Sequence, residues 1–158
     1  MLKFPTISLA AIVTSILIST SANAGQSYNP VSDKIALKEC SACHMAFQPQ
    51  MLPQKSWEKI MGNLSNHFGE DASLNPADAK HIKDYLMVNA ADAGGARGRF
   101  LRGMSGSSTP IRITETPYWG RLHNHEIPER IWKDPRVKSK ANCAACHREA
   151  ASGYYQEE

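Results

Sequence analysis

Apolar residues recur at helical spacing in several short segments of the chain. The clearest pattern covers residues 57–68, where apolar side chains three or four positions apart predict an amphipathic helix. Its apolar stripe consists of Trp57, Ile60, Met61, Leu64 and Phe68. We therefore expect a mainly α fold with little or no sheet.

Capping residues predict three further helices. Ser32 suits the N-cap of a helix that leads into the first pair of cysteines. Asn75 followed by Pro76 opens another, which ends near the Ala-Gly-Gly run at residues 93–95. The pair Thr116-Pro117 starts a third, which stops before Pro128, and residues 129–132 add a further turn.

The chain divides into two parts by composition. Residues 94–110 are rich in Gly, Ser and Arg and predict a connector between a first half, residues 25–93, and a second half, residues 111–158. At the start of the second half, residues 111–114 alternate in polarity and form a candidate short strand.

The N-terminal residues have the features of a signal peptide. Lys3 supplies a positive charge, residues 7–18 form an apolar run, and a small-x-small pattern ends at Ala24. An uncleaved anchor is the alternative, but a membrane span needs about 20 apolar residues. We expect residues 1–24 to be removed, which leaves a periplasmic protein with no transmembrane anchor.

Composition limits what the polypeptide alone can bury. Large apolar residues are sparse after the signal peptide, so a non-protein group is expected to fill part of the core. The formal net charge of +3 is not a nucleic-acid-binding signature.

The four cysteines fall into two C-x-x-C-H motifs. These are Cys40, Cys43 and His44, and then Cys143, Cys146 and His147. Two thiols at this spacing reach both vinyl groups of one haem as thioethers, and the following histidine binds the iron. The sequence therefore predicts two covalently attached haem c groups.

Other uses of these cysteines fit less well. Zinc knuckles usually lie about 15–20 residues apart, whereas these two motifs are far more distant in the sequence. A thioredoxin-like pair needs a single C-x-x-C motif in a βαβ setting, and disulfides within each motif leave both histidines unexplained.

Each iron needs a sixth ligand or an open position, and four histidines remain for this role. For the first haem we favour His67, which lies beside the apolar stripe and close to Gly69, because glycine lets the backbone approach a porphyrin. The competitor His81 lies one step off the apolar face of its helix, between two lysines.

For the second haem the candidates are His123 and His125. His123 is favoured because Trp119 and Leu122 make its surroundings more apolar. Methionine is the other common sixth ligand, and Met104 in the connector is the one that stays open. Two bis-histidine irons predict a non-enzymatic electron carrier, whereas an open or displaceable iron predicts a haem enzyme or ligand-binding protein.

Four arginines in or beside the connector have no acidic residue among them: Arg97, Arg99, Arg102 and Arg112. Guanidinium groups bind carboxylates in a bidentate manner, so one or two of these suit haem propionates. A solvated basic loop, or a docking patch for an acidic redox partner, is the alternative. The tryptophans are expected to pack beside the haems.

Taken together, the motifs resemble the small exported dihaem cytochrome c family of proteobacteria. The resemblance is carried by residues 40–47, 66–74, 112–117 and 142–147. It implies a largely helical two-part fold around two haems, with His44 and His67 on the first iron and His147 and His123 on the second. Members pass electrons to a small monohaem oxygen-binding cytochrome, often near a membrane b-type cytochrome. Here a second histidine, His125, departs from the family pattern and stays the alternative to His123.

Overall fold

The computed structural model describes residues 26–96 and 98–156. The predicted signal peptide and Arg97 lie outside these ranges. The helices are α1 (Lys34–Cys40), α2 (Gln54–Met61), α3 (Pro76–Val88), α4 (Pro117–His123) and α5 (Glu129–Trp132), and the strands are β1 (Gln26–Ser27) and β2 (Tyr154–Tyr155). Short 3-10 helices lie at Pro49–Met51, Leu64–Asn66, Ala93–Gly95, Arg99–Leu101, Ile113–Glu115, Cys143–Ala145 and Ala150–Ser152.

The prediction of a mainly α protein is confirmed. None of the helices in the described ranges has the length and apolar content to cross a membrane.

Helix α1 begins one residue later than its predicted cap. Asp33, rather than Ser32, is the N-cap, and its carboxylate accepts a 2.8 Å hydrogen bond from the Ala36 N–H. The backbone N–H of Ser32 is instead directed at the hydroxyl of Tyr85. The carboxylate satisfies one of the free N–H groups of the first turn, and α1 then carries Cys40 at its end.

Helix α2 is shorter than the apolar pattern predicts. It ends at Met61, where Gly62 caps it and donates its N–H to the carbonyl of Glu58. The prediction that one helix extends to Phe68 is wrong, because Gly62 and Asn63 are poor helix formers and Phe68 has a φ of 59°.

The other helices follow their caps closely. The Asn75 side chain accepts a hydrogen bond from the Asp78 N–H at the start of α3, and the Thr116 hydroxyl accepts one from Trp119 at the start of α4. Helix α3 ends at Val88, before the predicted stop near residue 93. The strand expected at residues 111–114 is wrong, since Ile113–Glu115 forms a 3-10 helix.

The small sheet joins the two ends of the described chain. Strands β1 and β2 pair antiparallel, and Tyr28 next to β1 donates its N–H to the carbonyl of Gly153. Gly153 has a φ of 85°, and any Cβ there would collide with the backbone of Tyr28. The C-terminal segment is therefore part of the fold.

One hydrophobic core runs through both halves of the chain. Ile82 and Leu86 on α3 pack against Trp57 of α2, and the same cluster continues to Phe100 and Trp119. The core also holds a few buried polar side chains, which are Gln48, Ser56 and Thr116. This core supports histidines from distant parts of the sequence.

Candidate functional site

The first C-x-x-C-H motif lies where α1 ends. Cys40 is the last residue of the helix and is half-buried, and Cys43 and His44 follow in an exposed turn. Burial raises the pKa of the Cys40 thiol above its ordinary value. No disulfide joins any of the four cysteines, all of which lie in the described ranges.

His44 has a fixed orientation. Its Nδ1 lies 2.7 Å from the carbonyl oxygen of Met45. Since a carbonyl only accepts, Nδ1 must carry the proton, which leaves Nε2 free to bind a metal ion. The ring also stacks on Phe47, with centres 5.0 Å apart.

His67 faces His44 from a tight turn after α2. The two ring centres are 6.0 Å apart and the ring planes differ by 22°. Burial lowers the pKa of His67, and the nearby His44 and Arg112 lower it further. Within the described ranges, no group accepts a hydrogen bond from the His67 ring.

The second C-x-x-C-H motif lies on a 3-10 turn, Cys143–Ala145. Cys146 is exposed, and partial burial raises the pKa of the Cys143 thiol to about 11. His147 Nδ1 lies 3.0 Å from the carbonyl oxygen of Gln156, and the ring meets that of Tyr155 edge-on at 5.4 Å. As in the first motif, Nε2 is left for a metal ion.

His123, at the end of α4, faces His147. Their ring centres are 6.2 Å apart, with planes 88° apart. The His123 ring stacks on Trp119 at 4.3 Å with only 9° between planes, and Nδ1 donates to the Trp119 carbonyl over 2.9 Å. Burial lowers the pKa of His123, and the bond to Trp119 acts in the opposite direction.

The remaining candidates lie elsewhere. His125 is exposed and lines an open cleft with Arg121. His81 is exposed on α3, with its Nε2 2.7 Å from a carboxylate oxygen of Asp33. Met104 is half-buried in the loop after Arg99–Leu101, hydrogen-bonded through its N–H to Leu101.

Two of the predicted arginines lie over aromatic rings. The Arg112 guanidinium lies 4.2 Å from the ring centre of Phe68, and that of Arg102 lies 5.9 Å from Tyr118. Arg121, which the sequence analysis did not single out, covers Tyr118 at 5.6 Å. The contacts of Arg112 and Arg102 join residues far apart in sequence, so no local pattern predicts them, whereas Arg121 lies three positions after Tyr118 on α4.

The facing imidazoles have the spacing that a metal ion needs. An ion bound to one nitrogen of each ring, with bonds of about 2 Å, separates the ring centres by about 6 Å. Both pairs meet this condition. In each pair one histidine follows two cysteines, so these residues would hold a covalently attached porphyrin, with the two imidazoles available to its iron.

Comparisons with known proteins agree with this fit. The family model described as "Dihaem cytochrome c" matches residues 36–155. A solved diheme cytochrome c from Rhodobacter sphaeroides is 46% identical, covers 81% of this chain and 100% of its own, and superposes with a TM-score of 0.77. A diheme cytochrome c of Shewanella baltica is 35% identical over 78% of this chain and 86% of its own, with a TM-score of 0.65. No curated protein matches the chain significantly.

Proposed function

Because the chain belongs to the dihaem cytochrome c family and so carries two covalently attached haem c groups, we propose that it is an exported electron carrier with two bis-histidine irons. The observation that carries this proposal is the presence of two facing pairs of imidazoles, with ring centres 6.0 and 6.2 Å apart. Each haem, when bound, supplies an iron that accepts one electron from a donor protein and gives it to an acceptor.

In this proposal each residue of the motifs has a defined role. Cys40 and Cys43 attach the first haem, and His44 and His67 are its axial ligands. The second haem is held in the same way: the attaching residues are Cys143 and Cys146, and the ligands are His147 and His123. Carbonyl groups at Met45, Gln156 and Trp119 fix three of the four imidazoles by accepting their Nδ1 protons.

The two sites lie close enough to share an electron in this proposal. His44 stacks on Phe47, and the next residue, Gln48, accepts a hydrogen bond from Tyr155. Tyr155 in turn meets His147 edge-on. Three residues, of which Phe47 and Gln48 are neighbours in the chain, thus connect the two motif histidines, although about a hundred residues separate them in sequence.

The partners are proposed to be other redox proteins. The family resemblance points to a small monohaem oxygen-binding cytochrome and to a membrane b-type cytochrome nearby. The predicted signal peptide at residues 1–24 supports a location in the periplasm.

A haem protein with one displaceable iron is the second candidate. The observation that favours it is that His67, unlike the other three proposed ligands, has no hydrogen-bond acceptor for its ring in the described part of the chain. A ligand without such an anchor is easier to displace.

Potentiometric titration of the holoprotein with optical detection tests the carrier proposal. We expect two one-electron steps, both at low potential, because histidine holds the potential below that of a methionine-ligated haem. A step in the high range of His/Met cytochromes would contradict bis-histidine ligation at that iron.

A further inference from the structure

Phe68 has a backbone conformation that phenylalanine rarely adopts. It follows His67 in a turn closed by hydrogen bonds from His67 N–H to the Glu70 carbonyl (2.7 Å) and from Glu70 N–H to the His67 carbonyl (3.2 Å). The two central residues, Phe68 and Gly69, have φ values of 59° and 104°. Asn-Gly is the usual pair in such a type I′ turn, because asparagine tolerates a positive φ far better than a bulky residue does.

The protein atoms around Phe68 bury only part of its side chain. Its side chain remains 42% exposed. A backbone conformation of this kind, next to a residue of a binding site, supports the hypothesis that the side chain has a functional role.

The contacts of the Phe68 ring suggest what that role is. It meets the His67 imidazole edge-on, with ring centres 4.8 Å apart. The Arg112 guanidinium lies 4.2 Å from its centre, and Arg112 is itself 3.7 Å from the carboxylate of Glu115. The ring is thus held between a cation and the imidazole.

His67 is also the histidine that needs such support. His44, His123 and His147 each have a backbone carbonyl at their Nδ1. The His67 ring has no equivalent among the described residues, where its contacts are those with neighbouring rings and with the turn itself.

We propose that Phe68, held by Arg112, is the positioning residue that fixes the His67 imidazole nearly parallel to His44 in the first haem site. This proposal rests on His67 being an axial ligand, as argued above. The phenylalanine ring replaces the carbonyl anchor that the other three imidazoles have, and the unfavourable φ is the cost of placing it there.

The test compares Phe68→Asn with Phe68→Tyr in the holoprotein. Asparagine relieves the backbone, so we expect Tm to rise by about 2–4 °C. At the same time the low-spin EPR signal of the first haem should shift and broaden, and carbon monoxide should bind the reduced protein at least about tenfold faster. Tyrosine keeps the ring and should retain the EPR signal and the slow carbon monoxide reaction of the unmodified protein.

Lys138→Asn is the matched control. Lys138 has a φ of 62°, is exposed, and belongs to the second half of the chain. Its replacement should raise Tm similarly while leaving both EPR signals unchanged.

Two outcomes separate this inference from the proposal on which it rests. If His67→Ala opens an iron to carbon monoxide but Phe68→Asn leaves the EPR signal and the binding rate unchanged, the positioning role is overturned and the ligand assignment stands. If neither iron of the His67→Ala variant binds carbon monoxide, the ligand assignment itself is wrong.

Discussion

The hydroxyl of Tyr155 donates a 2.5 Å hydrogen bond to Oε1 of Gln48, 107 residues away in the chain. Gln48 is fully buried, and its Nε2 donates to the Ala150 carbonyl over 2.8 Å. One glutamine therefore joins the segment after the first C-x-x-C-H motif to the segment after the second.

Removing the Tyr155 hydroxyl should destabilise the protein. In Tyr155→Phe, Oε1 of Gln48 is left buried without a donor, which costs about 1–3 kcal/mol of the free energy of unfolding. Burial raises the pKa of Tyr155, so the loss should be constant over the neutral pH range. Chemical denaturation of the holoprotein measures it.

Tyr154→Phe is the control for that experiment, because Tyr154 is 48% exposed. Its free energy of unfolding should match that of the unmodified protein. Equal stability of both variants would show that the link between Gln48 and Tyr155 contributes nothing.

His123 and His125 should differ sharply when each is replaced by alanine. The imidazole of His123 faces His147, whereas His125 is exposed. We expect His123→Ala to bind one carbon monoxide per protein after reduction and His125→Ala to bind none. An optical titration of the reduced variants measures this, and the reverse result would move the ligand assignment to His125.

The two irons should give different EPR signals. The ring planes of the first pair differ by 22° and those of the second by 88°. Two nearly parallel imidazoles donate into the same iron d orbital and separate it in energy from its neighbour. Two perpendicular imidazoles each donate into a different d orbital, so the two orbitals stay close in energy. The ferric protein should therefore show one rhombic low-spin signal and one highly anisotropic one. Two identical rhombic signals would contradict the ring orientations.

The N-cap of α1 should make stability depend on acid pH. The Ala36 N–H and His81 hold the pKa of Asp33 below its usual range. A carboxylate with a lowered pKa stabilises the fold above its ordinary pKa of about 4, and this contribution is lost as pH falls through the lowered value.

At neutral pH, Asp33→Ala should lower the free energy of unfolding by about 1 kcal/mol, with a smaller difference in acid. Thermal unfolding across pH checks this. Ser32→Ala is the control. The hydrogen bond from Ser32 to the Tyr85 hydroxyl uses the backbone N–H, which alanine keeps, so the stability should not change. A difference that stays constant down to the acid range would show that the charge of Asp33 is not involved.

Local patterns were sufficient where the determining residues are neighbours in sequence. Each C-x-x-C-H motif is recognised from five adjacent residues. The capped N-termini of α3 and α4 are recognised from three or four adjacent residues. The mainly α fold class and the two haem c groups were predicted from such local patterns.

The sequence prediction failed where contacts are distant or periodicity misleads. The apolar pattern continued through Gly62, so Phe68 was assigned to a helix although it lies in a turn. The hydrogen bond between Tyr155 and Gln48 was not predicted, because nothing near either residue in the sequence indicates it. The roles of His67 and His123 as ligands stay predictions until they are measured.

Carbon monoxide binding to the reduced, unmodified holoprotein tests the central claim most directly. If both irons are held between two histidines, the optical spectrum of the reduced protein should not change promptly when carbon monoxide is added. A prompt change that corresponds to one carbon monoxide per protein would show that one iron is open or easily displaced, and would contradict the electron-carrier account.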